Sequence, residues 1–146
     1  MTTPDLRTFP EAGTVMDSAT FEDYLRPATL IDSGHQAIRA FAADVARGAS
    51  DPTETAVRLY YAVRDQVRYD PYGTPLVPEA YVASTTLLQR HGYCVNKSGL
   101  MAALARAAGI PARVGYADVR NHMTTKKLSE RMGTDIFYFH GYTDLW

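Results

Sequence analysis

Sulfur chemistry is scarce in this chain, whose 146 residues include a single cysteine, Cys94. No internal disulfide can form, and a free thiol fits a reducing compartment, so a cytoplasmic location is the expectation. An excess of charge of either sign is also lacking, with 15 basic residues against 16 acidic ones and a formal net charge of −1. That balance leaves no electrostatic footprint for nucleic acid or an anionic membrane, and neither partner is expected. No apolar run approaches the roughly 20 residues of a membrane span, and the opening from Met1 to Leu6 lacks the basic and apolar regions of a signal peptide. His35, His91, His122 and His140 show no metal-ligand spacing, and neither C-x-x-C nor H-E-x-x-H occurs. With no G-x-S-x-G, phosphate-binding loop or dinucleotide fingerprint, neither a metal nor a cofactor is expected. Repeats, heptads and low-complexity tracts are missing as well.

What remains is a chain with 46% hydrophobic residues, enough for one domain with its own core. Residues 1–33 mix Thr, Pro, Asp and Gly with scattered aromatics and read as an N-terminal arm. From Gly34 to Arg47, Ile38, Phe41, Ala42 and Val45 recur at helical spacing, with Gly48 as the terminator. A second helix opens with Asp51 as N-cap and Pro52 at the first helical position. Val57, Tyr60, Tyr61, Arg64 and Val67 supply its periodic positions, and it should end near Arg68. Pro71, Gly73, Pro75 and Pro78 break regular structure, so residues 69–83 form a loop. Ser84 is expected to cap a short helix that stops at Gly92. An alanine-rich helix then runs from Cys94 to about Ala108, ended by Gly109 and Pro111. Its small side chains allow close approach on several sides, which makes it the central, most buried helix. Ala112 to Val119 and Ile136 to Trp146 have strand character, joined across the polar stretch 120–135. Helices first and strands after argue α+β.

Cys94 stands at the start of the alanine-rich helix, facing unpaired N–H groups and the positive end of the macrodipole. Both favour thiolate over thiol, which makes Cys94 a candidate nucleophile. A lone cysteine is more commonly an inert small core residue, and a histidine on an aromatic strand is more commonly structural. The two in this order, a thiol helix followed by a strand carrying His140, strengthen each other as nucleophile and base. If Ile136 to Trp146 is extended, Ile136, Tyr138, His140, Tyr142 and Asp144 share one face while Phe137, Phe139, Thr143 and Leu145 take the other. Asp144 cannot orient the imidazole, because four residues at about 3.3 Å each put it roughly 13 Å away. Tyr93, Tyr138 and Tyr142 are candidates to line a substrate groove, with ordinary packing as the alternative. Lys97 lies one turn beyond the thiol and reads as a solvated lysine. Asn96-Lys97-Ser98 matches a glycosylation pattern, here taken as coincidence at a buried helix start.

The stretch from Ser84 to Cys94, with Gly92-Tyr93-Cys94 and the later Gly109-Ile110-Pro111-Ala112-Arg113, resembles the transglutaminase-like superfamily. His140 to Trp146 is similar to that family's histidine strand, and Tyr60 to Tyr69 to the helix opening its core. The resemblance spans residues 34–146 and implies an α+β, papain-like core: N-terminal helices, then a central cysteine helix packed on an antiparallel sheet. It implies Cys94 as the nucleophile on a carboxamide or peptide carbonyl, His140 as base and then acid, and the Cys94 N–H as oxyanion donor. The family's third residue, an Asp on the strand after the histidine, has no counterpart here, so the sheet reads as truncated at its C-terminal side. Asn96 stands where many members carry an acidic residue.

The resulting expectation is cysteine-dependent acyl transfer or amide hydrolysis through a thioester, on a peptide or small amide substrate. Two alternatives belong beside it: a non-catalytic binding module on the same fold, and an inactive fragment lacking the third triad residue.

Overall fold

The computed structural model describes residues 18–120, 130 and 133–146. Residues 1–17 of the expected arm, and most of the connection between the two expected strands, lie outside the described residues. Five helices and two small sheets are described: α1 (Ser18–Asp23), α2 (Gln36–Ala46), α3 (Pro52–Gln66), β1 (Arg68–Tyr69), α4 (Ala83–Gln89), β2 (His91–Gly92), α5 (Cys94–Ala107), β3 (Ala112–Arg120) and β4 (Ile136–Leu145). A single 3₁₀ turn, Pro78–Tyr81, precedes α4. No helix among the described residues is long and apolar enough to cross a membrane.

Local chemistry sets most of the boundaries. Asp51 caps α3 by accepting from the Glu54 N–H at 2.8 Å, and Pro52 occupies the first position, where no N–H is needed. Gly48 and Gly109 follow α2 and α5 with φ of +72° and +80°, a conformation that costs glycine little. α2 begins later than the periodicity suggests because the His35 ring nitrogen accepts from the Ala37 N–H and becomes the cap. α4 differs in a more instructive way. Ser84 is inside the helix, and its N–H donates to the Asp32 carboxylate at 3.0 Å, so a residue from before α2 supplies the cap.

The core gathers on α5. Leu100, Met101, Ala103 and Leu104 pack with Ile38 and Ala42 of α2, Leu59 and Val63 of α3, and Ala83 and Leu87 of α4. On its other side Ala102 and Ala105 meet Ile110 and Ala112 as the chain turns into β3. The α3 face that enters this core is Leu59, Ala62 and Val63, joined by Val67 of the expected row, whereas Val57, Tyr60 and Tyr61 of that row stay exposed. Residues 70–77 hold no helix or strand, as their prolines suggest, and regular structure enters the expected loop only at its two ends. β1 pairs in parallel with β2, Arg68 opposite His91 and Tyr69 opposite Gly92.

β3 and β4 form an antiparallel ladder from Ala112 opposite Leu145 to Arg120 opposite Ile136. The register slips between Ala117 and Val119, so Tyr138 and Phe139 together oppose Asp118. Phe139 sits there at φ +53°, and its N–H donates to the Asp118 carboxylate at 3.1 Å. This bulge corrects the simple alternation expected for β4. Tyr138 and Phe139 are both exposed, and the phenylalanine does not pack inside. Beyond the bulge, Gly141, Thr143 and Leu145 turn toward α5, while Tyr142 lies over Gly115.

Candidate active site

α5 starts at Cys94, with Tyr93 as its N-cap. The first turn is held by Asn96, whose side-chain oxygen accepts from the Tyr93 N–H at 3.3 Å. The Asn96 amide is buried and donates to the Ala80 carbonyl at 2.9 Å. These bonds give Asn96 a structural task and fit the reading of its glycosylation pattern as coincidence. They also fix the orientation of the turn that presents the thiol, which is partly exposed.

β4 reaches that turn through a glycine. A Cβ added to Gly141 would stand 2.8 Å from the Ser98 hydroxyl and 3.1 Å from the Cys94 carbonyl oxygen. Thr143 adds a hydrogen bond, its hydroxyl donating to the Ser98 carbonyl at 3.0 Å. A cavity of about 590 Å³ opens between α3, α5 and β4, and Cys94, His140 and Tyr142 all line it. Tyr93 and Tyr138 do not. The Tyr93 hydroxyl instead pairs with that of Tyr81 at 3.1 Å, their rings meeting edge to face, and burial followed by that bond pushes its pKa up.

Tyr69 was not anticipated from the sequence. It ends β1 and lines the same cavity as Cys94, with its phenol close enough to that residue for the two to influence each other electrostatically. Burial, then the neighbouring thiol, push this phenol above its ordinary value, so it stays a neutral donor at physiological pH. Its place depends on the pairing of Tyr69 with Gly92, a two-residue bridge too short to leave a sequence signature.

Lys97 is not the solvated side chain expected. Its ammonium donates to the carbonyls of Val67 at 2.5 Å and Arg64 at 3.2 Å, tying the end of α3 to the start of α5. Burial lowers its pKa. Asp144 is engaged by Arg113 across the ladder at 2.9 Å, in keeping with its exclusion as the partner of His140. Among the described residues, no group of three or more His, Cys, Asp or Glu is placed to hold a metal ion.

Comparison with known proteins agrees with this architecture. The model of the transglutaminase-like superfamily matches residues 39–146, and the chain belongs to that superfamily. A candidate cysteine protease from Cytophaga hutchinsonii superposes with a TM-score of 0.68 at 21% identity, over 90% of this chain and 39% of its own. The periplasmic domain of TgpA from Pseudomonas aeruginosa gives 0.59 at 22% identity, over 90% of this chain and 44% of that one. The chain thus spans less than half the length of either structure. No curated protein matches it in sequence.

Proposed function

We propose that this chain carries out cysteine-dependent acyl transfer, with Cys94 as nucleophile and His140 as general base and then acid, on a peptide or small amide. One observation carries the reading: the thiol at the first position of α5 and the imidazole of β4 border a single cavity. His140 accepts the thiol proton as Sγ bonds to the carbonyl carbon, and the C=O electron pair moves onto oxygen. The Cys94 N–H and the Tyr69 hydroxyl are the donors to that oxyanion. Collapse then breaks the C–N bond, and the proton held by His140 leaves with the amine. Water, giving its proton to His140, attacks the thioester and releases the acid and the free thiol.

Incubation with p-nitrophenyl acetate tests this directly. A burst of nitrophenol and an acetyl group on Cys94 by mass spectrometry are expected, both missing in Cys94→Ser. His140→Ala should slow acylation by about 10²-fold or more. No adduct, together with equal rates of thiol alkylation in the wild type and His140→Ala, would mark a binding module instead.

A further inference from the structure

The cavity does more than join two side chains. It continues from Cys94 along α5 to Met101, about 10 Å at about 1.5 Å per residue. Val57 and Tyr60 of α3 form one wall and Leu145 of β4 the other. Val57 and Tyr60 are 47% and 55% exposed, large side chains that no described element covers. The lysine, serine, threonine and arginine side chains along this groove already have partners. The Lys97 ammonium is held by two carbonyls, the Ser98 hydroxyl donates to the Val95 carbonyl, and the Thr143 hydroxyl donates to the Ser98 carbonyl. Arg64 is bound to the Asp65 carboxylate at 2.7 Å and lies over the Tyr61 ring. A polar ligand lying along these four side chains would lose water and gain little in return, whereas an apolar chain against Val57, Met101 and Leu145 gains by leaving water.

We infer that this groove selects the acyl part of the substrate, and that the preferred acyl donor carries an apolar chain. The inference rests on the acyl-transfer reading given above. The acyl part is the one assigned to the groove because it stays bonded to Sγ through both half-reactions, and a surface running on from the thiol can hold it in each. Two chemistries share this property: an aliphatic acyl group, and the hydrophobic residues before the scissile carbonyl of a peptide, of which about three fit the length.

Two series of p-nitrophenyl esters, each normalised to its spontaneous hydrolysis, separate these. Acetate, butyrate and hexanoate vary an aliphatic chain, while N-acetylglycine and N-acetylphenylalanine esters vary an amino-acid side chain. At least one series should rise in kcat/KM by about tenfold or more from its smallest to its largest member, and the series that rises identifies the donor. Val57→Asp, a change at an exposed helix position, should abolish the rise, with circular dichroism checking the fold. A wild type that acylates at Cys94 equally fast across both series overturns this inference alone. Failure to acylate Cys94 at all overturns the acyl-transfer reading beneath it.

Discussion

Gly141 lies directly against the first turn of the Cys94 helix, so close that a Cβ on it would stand 3.1 Å from both the Cys94 carbonyl oxygen and the Val95 Cα. The absence of a side chain there lets β4 bring its adjacent residue, His140, to the cavity that Cys94 lines. Backbone atoms cannot move aside as a flexible side chain would. Gly141→Val should therefore push the strand away from α5, costing about 1–3 kcal/mol of stability and most of the acylation rate. Thermal melts and the nitrophenyl acetate burst read the two effects separately. Retention of both at wild-type levels would show that the contact does not govern the site.

Tyr69 offers a sharper test, because one oxygen atom is removed and the ring stays. Tyr69→Phe should lower kcat by about 10²-fold if the hydroxyl donates to the developing oxyanion, with little change in the melting temperature. The raised pKa of this phenol sets the sign of its pH response. A tyrosine ordinarily ionises near about 10, and this one does so higher, so its donated hydrogen bond persists throughout the neutral range. The rate ratio of wild type to Tyr69→Phe should accordingly stay constant from pH 6 to 9, about.

The ammonium of Lys97 bridges the carbonyls of Arg64 and Val67. By fastening the last turn of α3 it also fastens the start of β1, and with it Tyr69. Lys97→Met keeps the stem and loses the bonds, and should cost about 1–2 kcal/mol after allowing for its partial exposure. Its effect on acylation should be strongly reduced in a Tyr69→Phe background, since both changes then act through one residue. Independent, multiplying effects in this double-mutant cycle would refute that linkage.

The features legible in the sequence were those that neighbouring residues settle among themselves. Asp51 and Pro52 announce the start of α3, Gly48 and Gly109 follow their helices, and the alanines of α5 mark it as the central helix. Cys94 and His140 stood out because a thiol at a helix start and a histidine on a later strand are each readable locally. What escaped depends on residues distant in the chain. Asp32 caps α4 from 52 positions away, Tyr69 meets Cys94 only through the pairing of β1 with β2, and the bulge opposite Asp118 resets the faces of β4. The misread face of α3 has a related cause. Leu59 and Val63 fit the helical period as well as Val57 and Tyr60 do, and only the position of α5 decides which pair is buried.

The junction between α2 and α3 should weaken in acid. The Glu54 carboxyl is lowered from 4.5 to about 2, chiefly by the Ser50 N–H, then by the Ser50 hydroxyl and the Arg58 guanidinium. Arg58 in turn donates to the Arg47 carbonyl at 2.7 Å, so the same cluster clasps the end of α2. A carboxyl that binds its proton less tightly in the folded chain than in the unfolded one stabilises the fold fully above the unfolded value. That contribution is lost as pH falls from about 4.5 toward about 2, where the folded state is protonated as well. Glu54→Gln can still accept from Ser50 but cannot titrate. Melting temperatures measured across this window should show the wild type more stable at neutral pH, with its advantage over Glu54→Gln shrinking steadily on acidification. A gap that stays constant down to the lowest pH would mean that the carboxylate charge contributes nothing to the junction.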